Sequence, residues 1–240
     1  MYKNDSISIV AQGKAQDIIT LILGIPLLIY SLISYRKGSL KGKLLLSGTI
    51  GYFLYTYVSY TFLSMYNRFF LIYVALMSAS LFAFILSIMS IDIEKLPTQF
   101  KKTLPVKMLS GLMFLLALIL SIMWLGLTVP TAINGTVPSS LEHYTTLVIQ
   151  AMDLGFIVPT SILAGLLLLK KSPFGYLLTS IMTIKGLTMG TALTAMIIGQ
   201  IIAGVSVPIP VMAIFPLLNL FVIYCLYQLL NNVLELKFYI

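Results

Sequence analysis

The chain has 240 residues, of which 59% are hydrophobic and only 9% are charged. A soluble domain has about 25% charged residues, so this composition excludes an ordinary soluble protein and indicates a membrane protein. The net charge of +8 does not indicate nucleic acid as a partner, because the cations follow the pattern of membrane orientation described below.

Seven apolar stretches are each long enough to cross a bilayer, which takes about 20 helical residues. They span residues 16–34, 44–65, 69–91, 108–129, 145–169, 174–203 and 211–234. The sequence therefore predicts an all-α, polytopic membrane protein, with seven transmembrane helices in a single domain over residues 1–240. The polar segment 92–107 follows the third stretch, and we expect it to lie either along the lipid headgroups or in solvent.

The basic residues concentrate in every second loop, which is the pattern of membrane orientation. Only Lys3, Lys14 and Arg68 lie on the first side of the predicted membrane. Because the more basic loops face the cytoplasm, we expect the N-terminus outside and the C-terminus in the cytoplasm. Eleven of the 15 lysines and arginines lie on the second side, namely Arg36, Lys37, Lys41, Lys43, Lys95, Lys101, Lys102, Lys107, Lys170, Lys171 and Lys237.

The first and fifth stretches resemble each other in sequence. Each begins with Ala-x-Asp, contains a proline, and ends in a basic pair that a serine and a glycine follow. We therefore expect two parallel three-helix units, 14–92 and 144–235, joined by an inverting helix at 108–129. The matched residues are Ala15, Asp17, Pro26, Arg36, Lys37, Ser39 and Gly42 in the first unit, and Ala151, Asp153, Pro159, Lys170, Lys171, Ser172 and Gly175 in the second.

Two ionisable residues fall inside apolar stretches, Asp153 in the fifth and Lys185 in the sixth. Each such group costs at least about 2.5–3.5 kcal/mol in a membrane, so it usually faces the bundle interior and has a partner. The fifth and sixth helices are antiparallel neighbours, and we therefore expect an Asp153–Lys185 ion pair or a water-mediated link. The pair is either a structural clamp or a site that responds to a proton or a substrate.

Other polar side chains lie near this pair or near the outer surface. Tyr52 and Tyr55 lie deep in the second stretch, where their hydroxyl groups need partners on a neighbouring helix or in a polar site. Asp17 either caps the first helix or joins an outer cluster with Asn67 and Arg68, in which Arg68 pairs with an acidic residue. The candidate solute-binding residues are therefore Asp153, Lys185, Tyr52, Tyr55, Asp17, Asn67 and Arg68.

Two parts of the chain, 51–84 and 151–189, resemble an uncharacterised family of prokaryotic seven-span membrane proteins. The shared features are a tyrosine-rich second span, an Asn–Phe-Leu-x-Tyr entry to the third, and an Asp-Leu-x-Phe-x-x-Pro start to the fifth. The residues concerned are Tyr52, Tyr55, Asn67, Phe70, Tyr73, Asp153, Leu154, Phe156 and Pro159. The resemblance implies a seven-helix fold in the plasma membrane of a prokaryote, and it implies no assigned activity.

No motif of known enzymatic chemistry occurs in the sequence. It has no phosphate-binding glycine loop, no nucleophile elbow and no metal-binding pattern, and its single histidine argues against a multi-histidine zinc or haem site. We expect no catalytic residue, no metal and no cofactor, which favours a protein that is not an enzyme.

The leading functional prediction is the transport or sensing of a small polar solute or proton through an intramembrane site that opens outward. The alternative is a non-catalytic helper that assembles another membrane protein. A third reading is a lipid-modifying enzyme that uses Asp153 as an acid or base. The expected partners are the lipid bilayer, a small polar solute or proton, and a membrane-protein partner or a second copy of the chain.

Overall fold

The computed structural model describes residues 2–235, which form helices, turns and one isolated bridge between Phe100 and Val233. Within this part of the chain two short 3₁₀ helices, Ile93–Gln99 and Ser139–Leu141, accompany the long helices. The seven long helices are α1 Ile7–Arg36, α2 Leu40–Phe62, α3 Phe70–Met89, α4 Val106–Asn134, α5 Val148–Leu169, α6 Pro173–Ile202 and α7 Ile209–Asn231. The predicted all-helical fold class is confirmed.

Six of these helices, all except α2, are long and apolar enough to cross a membrane. They indicate a multi-pass membrane protein. Helix α2 is 23 residues long, but it is rich in tyrosine, serine and threonine, and 16 of its residues are buried. A helix whose surface is covered by other helices does not need an apolar side chain at every position, because little of it meets lipid.

Helices α2 and α6 lie at the centre of the bundle and pack against each other. Helix α2 also contacts α1 and α3, whereas α6 also contacts α1, α5 and α7, and α4 packs on the outer side of α5. At the central contact, a Cβ atom added to Gly48 of α2 would lie 2.5 Å from the Cβ of Ile184 in α6. Small residues therefore bring the two central backbones together, as is usual between membrane helices.

The turns that carry most of the cations meet at one end of the bundle. Lys43 Nζ donates a hydrogen bond to the carbonyl of Ser90 at 3.0 Å, and Phe100 lies 5.2 Å from Tyr176 between ring centroids. At the opposite end Tyr144 donates its hydroxyl hydrogen to Asp5 at 3.1 Å. The helices thus alternate in direction along the chain. Lys237, one of the predicted cytoplasmic cations, lies outside the described residues.

The predicted helix boundaries are wrong at two places for physical reasons. Helix α1 begins at Ile7, nine residues before the predicted start, because Ser6 caps it and accepts a hydrogen bond from the N–H of Ile9 at 3.2 Å. Helix α4 continues through Pro130, beyond the predicted end at residue 129, to Asn134, and its C-cap Gly135 has the left-handed conformation.

The segment 92–107 packs against one end of the bundle. Its apolar side chains Leu96, Phe100 and Leu104 are buried and belong to the main hydrophobic core of the bundle. The backbone of this segment pairs with the C-terminal residues, since Lys101 N–H donates to the carbonyl of Asn232 at 2.8 Å. The segment therefore closes the basic end of the bundle.

The turn between α1 and α2 shares its backbone features with the turn between α5 and α6. Gly38 and Lys171 occupy corresponding positions, and both have positive φ angles, of 77° and 53°. The serine that follows in each turn, Ser39 or Ser172, donates its N–H to the carbonyl five residues before it. Three residues after this serine, a glycine in the second helix of each hairpin lies against the backbone of the first helix. The two helical hairpins are therefore built in the same way.

Helices α1 and α5 also share a break in their hydrogen bonding. Each contains a π-helical turn, Thr20–Gly24 or Asp153–Ile157, and the second residue after that turn is a proline, Pro26 or Pro159. Proline lacks an N–H group and its ring clashes with the carbonyl four residues earlier, so the preceding turn widens. The π turn of α5 begins at Asp153 and sets the direction of its side chain.

The C-terminal segment is held against the turn before α2 by one carboxylate. Glu235 Oε1 accepts hydrogen bonds from Ser39 Oγ at 2.8 Å and from Lys41 N–H at 2.9 Å, and Oε2 accepts one from Leu40 N–H at 3.2 Å. An anion at a helix N-terminus binds free N–H groups and is favoured by the helix dipole.

We expect Glu235→Ala to lower the free energy of unfolding by about 1 kcal/mol, because the N-terminus of α2 loses this cap. Thermal unfolding of the purified protein in detergent measures the loss. Glu94→Ala is the control, since Glu94 is an exposed acid in the segment 92–107. An equal shift for both variants would contradict the capping role.

Candidate functional site

The seven predicted site residues do not form a single cluster. Three of them, Asp153, Lys185 and Tyr55, line one cavity of about 300 Å³. The other four, Asp17, Tyr52, Asn67 and Arg68, are not among the residues that line it.

Asp153 is buried and both of its carboxylate oxygens accept a hydrogen bond from an aromatic side chain. The Tyr55 hydroxyl donates to Oδ1 at 2.8 Å, and the Trp124 indole Nε1–H donates to Oδ2 at 2.8 Å. These donors come from α2 and α4, so the carboxylate of α5 connects three helices. Neutral donors at both oxygens hold the carboxylate in one orientation.

Lys185 is 9% exposed and its ammonium lies over the ring face of Tyr55, 4.1 Å from the ring centroid. This is a cation–π contact, which stabilises a desolvated cation by about 2 kcal/mol. The predicted direct ion pair between Lys185 and Asp153 is not formed. Among residues 2–235 the only ion pair joins Lys95 to Asp92. Tyr55 lies between the two charges and contacts both, so they are connected through its ring and hydroxyl group.

The cavity extends from this group of residues to the end of the bundle that carries the N-terminus. Met182 and Lys185 line its inner part, whereas Tyr2, Ser64 and Val207 line the part nearest the N-terminal end. Its walls come from five of the long helices besides α5, namely α1, α2, α4, α6 and α7. Among residues 2–235, most of the lining residues are apolar, and Asp153 and Lys185 are the only charged ones.

Asp17 forms a second aromatic–carboxylate group beside the cavity. Tyr2 donates its hydroxyl hydrogen to Oδ2 at 2.7 Å, and Tyr60 donates to Oδ1 at 2.9 Å. The prediction that Asp17 caps the first helix is wrong, because α1 begins ten residues earlier at Ile7. Burial raises the pKa of the Tyr2 phenol, and the hydrogen bond to Asp17 raises it further, so Tyr2 remains a hydrogen-bond donor.

Asn67 and Arg68 have local roles in the turn between α2 and α3. Asn67 Oδ1 accepts from the N–H of Phe69 at 2.9 Å, and its Nδ2 donates to the carbonyl of Met65 at 3.2 Å. Arg68 is exposed, and its guanidinium lies 4.8 Å from the ring centroid of Phe69. The predicted pairing of Arg68 with an acidic residue, Asp17 or Glu142, is not formed among residues 2–235, where the only ion pair joins Lys95 to Asp92.

Tyr52 is fully buried and does not reach the cavity. Its hydroxyl group forms a hydrogen bond with the hydroxyl group of Thr20, with 2.7 Å between the two oxygens. When the two helical hairpins are matched by their prolines and turns, Thr20 takes the place of Asp153 and Tyr52 takes the place of Lys185. The first hairpin thus has a neutral hydrogen bond where the second has the two charges. The sequence comparison had matched Asp17 with Asp153, and the structure corrects that alignment by three residues.

Trp124 is the site residue that sequence reasoning missed. It lies near the end of the fourth apolar stretch, where aromatic side chains usually face the membrane interface, but its ring turns inward to Asp153. Gln16, which donates to Thr56 at 2.9 Å, and Asn219 also line the cavity. The spacing of Trp124 on α4 relative to other cavity residues, such as Leu120, places it on the same helix face and was a usable signal.

The site combines two charged side chains with a mostly apolar wall. The described residues contain no group of three or more histidine, cysteine, aspartate or glutamate side chains that could hold a metal ion. One buried cation, one fixed carboxylate and a mostly apolar wall suit a small ligand with a polar end.

The fold and the site together define a multi-pass helical membrane protein with a polar group enclosed between its helices. In comparisons with protein-family models, curated proteins and solved structures, no match to the chain was found. The resemblance to a prokaryotic seven-span family therefore stays a prediction.

Proposed function

We propose that the protein binds a small polar solute or a proton in the cavity around Asp153 and Lys185, and that it transports or senses this ligand. The observation that carries the proposal is the meeting of two intramembrane charges, Tyr55 and Trp124 in one cavity of about 300 Å³. Ionisable residues inside a membrane are costly, and a cavity that exposes them offers a reason to retain them.

The proposed topology has seven spans, with the N-terminus outside and the C-terminus in the cytoplasm of a prokaryotic plasma membrane. Helix α2 is counted as a span because its 23 residues cover about 34 Å at 1.5 Å per residue, which exceeds the hydrocarbon thickness of about 30 Å. The cation-rich turns lie together at one end of the bundle, and the positive-inside rule assigns that end to the cytoplasm. The cavity then opens outward.

The two helical hairpins support the proposal that 14–92 and 144–235 are parallel repeats joined by the helix 108–129, which lies within α4. The π turns, the prolines and the left-handed turn residues recur with one constant separation along the chain. Parallel repeats occur in transporters with a site between the halves. In this protein the charged site belongs mainly to the second half.

The helper and enzyme readings have weaker support. A helper needs only a dry, fully paired core and an apolar flank, and it gives no reason for a cavity that holds two charges. A lipid-modifying enzyme needs an acid or base within reach of substrate, whereas both oxygens of Asp153 already accept hydrogen bonds.

Transport is tested with the full chain in proteoliposomes. A pH difference is imposed, a trapped dye follows protons, and light scattering follows the entry of small polar solutes. We expect movement above the background of empty liposomes, and we expect Lys185→Met to reduce it to that background.

Lys107→Met is the matched control, because Lys107 is an exposed cation at the basic end of the bundle. It should transport like the wild type. If folded wild-type protein moves neither protons nor any solute, and its stability responds to none of them, the proposed function is wrong.

A further inference from the structure

We propose that the ligand of this cavity is a small monocarboxylate with an apolar body, bound by its carboxylate to Lys185. This inference rests on the proposed function and specifies the ligand of the same site. It follows from a difference between the two buried charges. The carboxylate of Asp153 accepts hydrogen bonds from protein donors, whereas the ammonium of Lys185 has no acceptor in the described part of the chain.

The carboxylate of Asp153 is already occupied by protein donors. Tyr55 and Trp124 each donate one hydrogen bond at 2.8 Å, to different oxygens. A ligand amine would compete with these donors for the carboxylate. Asp153 therefore acts as a fixed counter-charge beside Lys185, and as an anchor for the two aromatic side chains.

The ammonium of Lys185 has no hydrogen-bond acceptor in the described part of the chain, although its side chain is more than nine-tenths buried. Its contact there is the π face of Tyr55, at 4.1 Å from the ring centroid, and a ring face occupies only one side of an ammonium. An ammonium group has three N–H donors, and a buried charge without hydrogen bonds is costly. Lys185 lines the cavity, so a ligand oxygen can reach these donors.

The charge of the cavity selects a monoanion. Among residues 2–235 Lys185 is its only cation, and its only carboxylate, Asp153, already accepts hydrogen bonds from Tyr55 and Trp124. The other polar lining residues are neutral groups such as Gln16 and Asn219. A phosphate dianion is usually bound by several cations, whereas the cavity wall supplies one among residues 2–235. A carboxylate needs only one cation and a few donors.

The wall of the cavity selects an apolar body for the ligand. Beyond Lys185 the lining is dominated by aliphatic, methionine and phenylalanine side chains, including Leu116, Met123, Leu193 and Phe215. A sugar or a hydrophilic amino acid would leave hydroxyl or amino groups unpaired against this wall, at a cost of about 1–3 kcal/mol each. A short aliphatic chain fills the same space favourably.

Trp124 provides the readout for the test. It is the only tryptophan in the chain, and its indole N–H bonds the carboxylate that faces the site. Purified full-length protein in a sugar detergent is titrated with hexanoate, norleucine and hexylamine, which share a six-carbon chain and differ in their charged groups. Tryptophan fluorescence is recorded for the wild type, Lys185→Met and Lys107→Met.

We expect a saturable change with hexanoate, and weaker binding of norleucine and hexylamine. Lys185→Met should weaken hexanoate binding by about 10- to 100-fold, the usual range for a lost hydrogen bond to a charged group, while Lys107→Met should have no effect. The ranking of the three probes on wild-type protein does not depend on whether a variant folds.

Stronger binding of norleucine or hexylamine overturns the ligand class and leaves the site and the proposed function in place. A hexanoate signal that Lys185→Met does not weaken also overturns it. If none of the three probes gives a saturable change, the inference is wrong, and the proteoliposome assay decides the proposed function separately.

Discussion

Replacing Asp153 with leucine is expected to destabilise the protein by about 3–5 kcal/mol, because it leaves Lys185 buried without a counter-charge. The same change leaves the Tyr55 hydroxyl and the Trp124 indole N–H without their acceptor. Asp153→Asn keeps one acceptor oxygen, so its loss should be smaller, about 1–3 kcal/mol. Thermal unfolding in detergent measures each variant.

The double variant Asp153→Leu with Lys185→Met separates a clamp from a functional site. Removing both charges removes the uncompensated cation, so the double variant should regain the part of the stability that the lone cation costs, while Tyr55 and Trp124 still lack their acceptor. If the two charges serve only as a clamp, ligand movement returns with stability. We expect stability to return and ligand movement to remain absent, since Lys185 is needed for binding.

Asp92→Asn with Lys95→Met is the matched control, because these residues form an exposed ion pair at the basic end of the bundle. An exposed pair contributes at most about 1 kcal/mol. A double variant at Asp153 and Lys185 that transports like the wild type would remove the functional role of both charges.

The second large effect is expected at the glycines of the two helical hairpins. A Cβ atom on Gly42 would lie 2.5 Å from backbone atoms of α1, and one on Gly175 would lie 2.3 Å from backbone atoms of α5. Backbone cannot move aside as a flexible side chain can, so each hairpin must open. Gly42→Ala and Gly175→Ala should each lower the free energy of unfolding by about 3 kcal/mol or more.

Gly111→Ala and Gly126→Ala are the controls for these variants. Both glycines lie in α4, where an added Cβ atom meets nothing within 4 Å. Alanine favours the helix over glycine by about 1 kcal/mol, so the controls should be neutral or slightly more stable. Similar losses in all four variants would contradict the close approach within the hairpins, and a loss at only one hairpin would argue against their equivalence.

Part of the candidate site was predictable from sequence, because a charge in an apolar helix is a local signal. Asp153 and Lys185 stand out for that reason, and both line the cavity. The sequence could not show in the same way which of Tyr52 and Tyr55 contacts the charged site. They lie three residues apart on one helix, and only their neighbours decide that Tyr55 reaches Asp153 whereas Tyr52 bonds Thr20.

The helical class, the apolar helices and the concentration of cations in alternate turns were predictable without coordinates, because they depend on composition and on spacing along the chain. Which polar groups meet became visible only in the folded protein. Trp124 joins Asp153 from another helix, and Tyr55 takes the place between Asp153 and Lys185 that an ion pair was expected to fill. The physical reason is that side-chain partners depend on how helices rotate and pack, and the π turn at Asp153 changes that rotation by an amount that residue spacing does not encode.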